Sequence, residues 1–211
     1  HDVERVLSHW GNGDASAQLA YLLTAMVCSL RGSVCIYQGE ELGLTEADVP
    51  YESLRDPYGI AFWPQFKGRD GCRTPMPWSD LDAHAGFSHG MPWLPVPEEH
   101  RARAVGQQQS DPHSVLNGFR AFMRWRRSHP ALRWGDIEFV DTVEPVLTII
   151  RRLDGEALLV MFNLGATDIE VALPSLPGRL TAIEGHGLQT GSVRGSALQL
   201  PGHGAWFARI D

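Results

Sequence analysis

Residues 68–78, Gly-Arg-Asp-Gly-Cys-Arg-Thr-Pro-Met-Pro-Trp, lie inside a long stretch of this chain that follows neither a helical nor a strand period. From Gly39 to about Ser110 the sequence carries Pro50, Pro57, Pro64, Pro75, Pro77, Pro92, Pro95 and Pro97, with many Gly and Trp residues among them. A structureless loop that long is uncommon in a compact domain unless it is functional. So many aromatics argue for packing rather than disorder. The stretch therefore reads as an ordered excursion with one or two short helices.

Upstream of it, Ala17, Leu19, Ala20, Leu22, Leu23, Met26, Val27 and Leu30 are spaced for a largely buried helix, with Asp14 or Ser16 as N-cap and Gly32 as terminator. Ser33 to Tyr37 (SVCIY) reads as a short buried strand. Helix, tight glycine turn and buried strand make half of a βαβ repeat. Downstream, Asp111-Pro112 predicts a helix start, followed at helical spacing by Val115, Leu116, Phe119, Phe122, Met123 and Arg126, with Pro130 closing the segment. From about Trp134 the period falls to two. Seven stretches (135–141, 146–153, 157–163, 169–173, 179–184, 196–200 and 205–210) read as strands, and Asp154-Gly155 supplies a hairpin turn. The organisation is an α/β part over 1–132 and a small antiparallel β domain over 133–211.

The 211 residues are 43% hydrophobic and 20% charged, which suits a soluble globular chain with a real core. A formal net charge of −7 without clustered Lys and Arg argues against nucleic acid and anionic membranes as partners, whereas a neutral ligand is compatible with it. No run approaches the ~20 apolar residues of a membrane span. The first residue is His1, not Met, so an upstream segment is expected. Cys28, Cys35 and Cys72 show no metal-type spacing and read as buried free thiols, which points to a reducing, cytoplasmic compartment. Nine histidines without an HExxH-like spacing, and no glycine-rich phosphate loop, predict no metal and no cofactor.

Three clusters carry chemistry: His1-Asp2-Val3-Glu4-Arg5; Tyr37-Gln38-Gly39-Glu40-Glu41-Leu42-Gly43; and residues 68–78 followed by Ala85-Gly86-Phe87-Ser88. Each alone is weak. In this order and at these distances they resemble the α-amylase superfamily of glycoside hydrolases, in its α-glucosidase and oligo-1,6-glucosidase branch. HDVER is similar to the later part of the family's NHD motif, YQGEELGL to the end of barrel strand eight, and GRDGCRTPMPW…AGFS to the RDxxRTPMQW…AGF stretch, the most specific of the three. Pro77 departs from the usual Gln. The insert over 47–64 resembles bacterial α-glucosidases acting on small aryl and alkyl α-glucosides and disaccharides.

The resemblance covers essentially the whole chain. It implies the C-terminal part of a (β/α)8 TIM barrel followed by a small antiparallel β-sandwich, the family's domain C. A complete barrel needs about 250 residues. A retaining glycosidase needs a nucleophile and an acid/base carboxylate; the family carries both after strands four and five, upstream of residue 1, so the chain alone is expected to be inactive. By resemblance Asp2 is the third carboxylate, gripping sugar hydroxyls and favouring the positive charge that grows at the anomeric carbon. His1 would donate to a sugar hydroxyl, and Arg69 would offer its fork of donors to hydroxyls and a nearby carboxylate. Arg73, Glu40 and Glu41 are expected to be structural, and Arg5 is a possible brace for Asp2. Trp63, Phe66, Trp78 and Trp93 are expected mostly to pack.

The implied partners are a small α-glucoside or oligosaccharide substrate, and either the upstream barrel segment or a second copy. The latter would cover apolar faces left open on the 33–37 strand and the 17–30 helix. Two other readings share the motifs: a transglycosylating or isomerising relative, such as a trehalose synthase or sucrose isomerase, and a non-catalytic barrel such as a transporter heavy-chain ectodomain. A sugar-binding role for the β tail finds no aromatic-rich face to support it.

Overall fold

A computed structural model describes residues 1–211. The chain forms two compact units, one of residues 1–20 and 36–117, the other of residues 21–35 and 118–211. Two helices, α2 (Ala17–Ser29) and α6 (Val115–Arg127), pass from one unit to the other.

The first unit opens with α1 (Val6–Gly11), which ends at Asn12 in the left-handed region. Helix α2 then starts on a side-chain cap: the Leu19 N–H donates to Ser16 Oγ at 3.3 Å, and the Ser16 N–H donates to Asp14 Oδ1 at 2.7 Å. Ser16 is thus the cap and Asp14 its support. The proline-rich stretch is ordered, with three short helices, α3 (Pro57–Phe62), α4 (Glu98–Arg101) and α5 (Val105–Ser110), joined by single turns. Small apolar nuclei hold it: Leu42, Leu44, Met76 and Leu116 in one, Ala47, Val49, Leu54 and Leu94 in another. Between them polar side chains act as pins. Gln108 Nε2 donates to the Leu42 carbonyl at 2.9 Å while its Oε1 accepts the Leu116 N–H at 3.0 Å. The tip at Ser88–Pro92 differs, being held by one local bond, from the Gly90 N–H to Ser88 Oγ at 3.0 Å.

Two expectations are corrected here. Ser33–Tyr37 is not a buried strand; it is partly or fully exposed and pairs with nothing. A strand exists only through its neighbours, and no other segment of the chain ladders with this one. Cys35 is accordingly exposed, while Cys28 and Cys72 are buried, all three as free thiols. The second correction is the start of α6. Asp111 Oδ1 accepts the His113 N–H at 2.9 Å and the Asp111 carbonyl accepts the Ser114 N–H at 3.1 Å, closing a turn over 111–114. The cap falls to Ser114, whose Oγ accepts the Asn117 N–H at 3.2 Å. Aspartate's competition for its own downstream backbone explains the shift.

The second unit has three layers. Strands β1 (Asp136–Val140), β2 (Val146–Leu153), β3 (Glu156–Asn163), β4 (Ile169–Ala172), β5 (Leu180–Ala182), β6 (Ser192–Arg194), β7 (Ala197–Leu200) and β8 (Ala205–Ile210) form a five-stranded sheet, β1-β2-β3-β8-β5, and a three-stranded one, β4-β7-β6. Val146, Ile150, Leu159, Met161, Val171, Leu198, Leu200, Trp206 and Ala208 fill the space between the sheets. The other face of the larger sheet meets helices: Phe207 packs on Phe122 and Trp125 at ring distances of 6.1 and 4.8 Å. Covered on both faces, β3 is buried from Leu158 to Asn163, which is why it reads as a continuous apolar run. The β2–β3 hairpin turns at Asp154-Gly155 as expected, with Gly155 at φ +83°. Strand β6, three exposed residues paired only with β7, had no apolar alternation to announce it.

Helix α2 does not present an open apolar face. Tyr21 meets Phe122 edge-on at 6.4 Å, and a Cβ at Gly118 would stand 3.1 Å from the Tyr21 ring, so glycine lets α6 close over it. The last carbonyls of α2 are taken by two arginines. Arg126 Nε donates to Cys28 O at 2.6 Å, and fully buried Arg151 donates from Nη1 to Ser29 O, from Nη1 to Leu132 O at 3.2 Å and from Nη2 to Gly135 O at 2.8 Å. Cations at a helix C-terminus also complement its dipole. Leu132 and Gly135 belong to the end of α7 (Pro130–Trp134), so Arg151 ties the ends of two helices together. No helix of the structure is long and apolar enough to cross a membrane.

Candidate active site

The three sequence clusters converge in the first unit, and arginines join them. Arg5 is buried; its Nη1 donates to Gln38 O at 2.7 Å, its Nη2 to Cys72 O at 3.0 Å, and its guanidinium lies 5.2 Å from the centre of the Tyr37 ring. Tyr37 Oη donates to the same Cys72 carbonyl at 3.1 Å. One side chain therefore links segments 1–5, 37–41 and 69–73. Desolvation pulls the Arg5 guanidinium below its ordinary value, partly offset by nearby Tyr37, Cys72 and Glu46. Arg5 does not brace Asp2 directly, because its donors face the other two segments.

Asp56 caps α3 and is the buried anchor of the cluster. Its side chain is inaccessible and receives a bidentate fork from Arg69, Nε to Oδ2 at 2.8 Å and Nη2 to Oδ1 at 2.9 Å, with the Arg69 N–H adding 2.8 Å to Oδ2. Arg69 hydrogen bonding holds the Asp56 carboxyl well below the usual carboxylate range, and Asp56 raises the Arg69 guanidinium in return. Asp70 is buried beside it and serves the backbone, accepting the Arg55 and Asp56 N–H groups at 2.6 and 2.8 Å. Sequence reasoning did not single out Asp56. Its only signal was Asp56-Pro57, a helix start inside a proline-rich stretch.

Asp2 lies at the open edge of this frame, half exposed. Arg73 Nη2 donates to Asp2 Oδ1 at 2.7 Å and Arg69 Nη1 to the same oxygen at 3.2 Å. His1 Nε2 stands 3.5 Å from that oxygen, and the His1 carbonyl accepts Arg73 Nε at 2.8 Å. The structure thus brings Asp2, His1 and Arg69 together and adds Arg73. Glu40 and Glu41 shape the turn instead: Glu40 Oε2 accepts the Tyr37 N–H at 3.1 Å and Glu41 Oε2 the Gly39 N–H at 2.7 Å. Burial raises the Glu40 carboxyl, partly countered by its bond to Tyr37 and by Arg5.

Two clefts border the cluster. One, of about 640 Å³, has both polar lining, including Arg73 and Gln38, and apolar lining, including Phe87, Met91, Trp93 and Leu94. The other, of about 280 Å³, is lined by Asp2, Glu46, Phe66, Lys67 and Arg69. The aromatics expected to pack do so only in part. Trp63 rests on Tyr51, 5.6 Å between rings, whereas Phe66, Trp78 and Trp93 are 48%, 52% and 86% exposed. No three His, Cys, Asp or Glu side chains are grouped to hold a metal ion.

Two guanidinia set on two carboxylates form the centre of the first unit, and comparison with known proteins identifies its family. The family model for the alpha-amylase catalytic domain matches residues 1–135, and this chain belongs to that family. A probable alpha-glucosidase of Rhizobium meliloti (strain 1021) is 48% identical over 215 residues, covering all of this chain and 38% of the relative. An oligo-1,6-glucosidase of Parageobacillus thermoglucosidasius is 30% identical over 183 residues, covering 77% and 32%. Among solved structures, an alpha-glucosyl transfer enzyme superposes with a TM-score of 0.95 at 52% identity, over 100% of this chain and 39% of that one. The trehalulose synthase of Pseudomonas mesoacidophila MX-45 gives 0.84 at 26% identity, over 100% and 42%. The chain spans about a third to two-fifths of the length of these proteins. Its fold is the C-terminal part of the family's (β/α)8 barrel followed by an antiparallel β-sandwich.

Proposed function

We propose that this chain belongs to a retaining enzyme acting on the α-linked terminal glucose of short substrates, with Asp2, His1 and Arg69 contributing to the sugar subsite. The observation that carries this reading is the Asp2 carboxylate, which lies 2.7 Å from one guanidinium and 3.2 Å from a second where the three motif segments meet. A carboxylate so oriented before the reaction can stabilise an oxocarbenium-like transition state without reorganising. The nucleophile and general acid come from polypeptide beyond these 211 residues; the support is the share of the relatives that the chain spans. Glu40 and Glu41 are already committed to backbone N–H groups and do not replace them.

Hydrolysis is the first reading, since the curated relatives are named glucosidases. Transfer is the second, favoured by the alpha-glucosyl transfer enzyme at 52% identity and by the apolar residues in the lining of the larger cleft, which would hold an acceptor and exclude water. The test is the full-length enzyme with an aryl α-glucoside, with and without an alcohol or phenol acceptor. Free glucose as the main product supports hydrolysis, and a new α-glucoside supports transfer. An Asp2→Asn variant is expected to lose at least roughly 10²-fold in kcat. Unchanged turnover in D2N would remove Asp2 from the site.

A further inference from the structure

We infer that Arg73, not Arg69, is the residue that positions the Asp2 carboxylate, through a fork that grips the Asp2 side chain and the His1 carbonyl together. The inference rests on the glycoside-cleaving reading above and concerns which arginine serves which carboxylate.

Four groups make up the cluster, two guanidinia and two carboxylates, and their distances divide them into pairs. Arg69 spends Nε and Nη2 on Asp56 at 2.8 and 2.9 Å, and its backbone N–H on the same carboxylate. Asp56 has no solvent to share that charge with, so Arg69 and Asp56 form a closed neutral unit. What reaches Asp2 from Arg69 is one contact at 3.2 Å. Arg73 meets no carboxylate other than Asp2. Its Nη2 stands 2.7 Å from Asp2 Oδ1, and its Nε bonds the His1 carbonyl at 2.8 Å. A planar fork spanning a side chain and the preceding residue's carbonyl fixes both the place and the tilt of the carboxylate.

The root of Arg73 is held rigidly enough for this task. Its N–H donates to Asp70 O at 3.0 Å. The carbonyl just before it, of Cys72, is taken by buried Arg5 and by Tyr37. The residue just after it, Thr74, is fully buried, with Oγ1 3.2 Å from His100 Nδ1. The guanidinium itself remains 27% exposed. The side chain is thus set from both ends of its backbone yet open to a small solute.

Chemical rescue separates positioning from mere support. In the full-length enzyme, Arg73→Ala is expected to lower kcat/KM by roughly 10²-fold, chiefly through kcat. Added guanidinium ion, at concentrations that do not unfold the protein, should restore part of that loss in R73A and nothing in the wild type. Arg73→Lys, which keeps the charge but cannot span both acceptors, should fall between the two. An R73A enzyme as fast as an active wild type overturns the inference and leaves the functional reading standing. A loss that follows a lowered unfolding temperature, with no response to guanidinium, overturns it as well. A wild type inert on every α-glucoside sinks the functional reading and this inference with it.

Discussion

The two units keep their shape by opposite means. In the β unit the long-range bonds are mainly backbone ladders, as in β2 and β3, which pair from Val146↔Asn163 to Leu153↔Glu156, and the load is shared along each strand. In the loop unit the connections across many residues run from side chains to backbone: Arg5 to Gln38 and Cys72, Gln108 to Leu42, Asp70 to Arg55 and Asp56. The arginines show the same contrast. Arg126 and Arg151 are satisfied by carbonyl oxygens at helix ends, whereas Arg69 and Arg73 are set on carboxylates. A ladder tolerates the loss of one partner; a pin does not. The candidate site is built from pins, which gives exact placement of a few groups at the cost of robustness.

That contrast can be broken or sharpened by experiment. Phe207 is fully buried among Phe122, Trp125, Phe162 and His186. Phe207→Ala should cost about 3–5 kcal/mol in denaturant unfolding; a smaller loss would mean the sandwich does not depend on its helix-facing layer. Acid should act on the same place. His186 is buried, with Nδ1 accepting the Leu188 N–H at 3.2 Å and Nε2 without a partner, and desolvation lowers it to about 4. The unfolded chain binds this proton below pH ~6.5 and the folded one only near 4, so stability rises with pH across that window. Acidification from neutrality to pH 4 should remove about 3 kcal/mol, and His186→Phe should flatten the slope of unfolding midpoint against pH.

In the loop unit, Asp56→Asn keeps the shape and turns an amide toward the donors of Arg69. Roughly 10²-fold in kcat/KM of the full-length enzyme should go with it, and full activity would show that Arg69 needs no anchor. The smallest effect belongs to the hairpin. A Cβ at Gly155 meets nothing within 4 Å, but its φ of +83° is unfavourable for alanine. Gly155→Ala should therefore cost only about 1 kcal/mol, all of it backbone, read as a small shift in melting temperature.

The β unit was legible because its signals are local and repeated. Seven of eight strands follow alternation or unbroken apolar runs, and Asp154-Gly155 marks its own turn; β6 escaped because three exposed residues carry no pattern. The helix start at Ser114 was displaced by a side-chain bond of Asp111. Ser33–Tyr37 was read from its apolar character, but pairing is a property of neighbours and not of a five-residue run. At the candidate site the motifs announced Asp2, His1 and Arg69, and the structure places all three together. Which guanidinium meets which carboxylate was not legible. It depends on Asp56, 13 residues from Arg69 and 54 from Asp2, and no periodicity relates such positions.

The tip at Ser88–Pro92 has a consequence for how such a protein can diversify. At the pinned positions of the loop, such as Gln38, Leu42 and Cys72, lengthening the chain by a residue would drag a side chain off the carbonyl it holds. Here the one bond is local, so residues can be added or removed without moving any distant anchor. Met91 and Pro92 also form part of the wall of the larger cleft. The frame that sets Asp2 and the lining of this cleft are thus free to change length and sequence independently of one another.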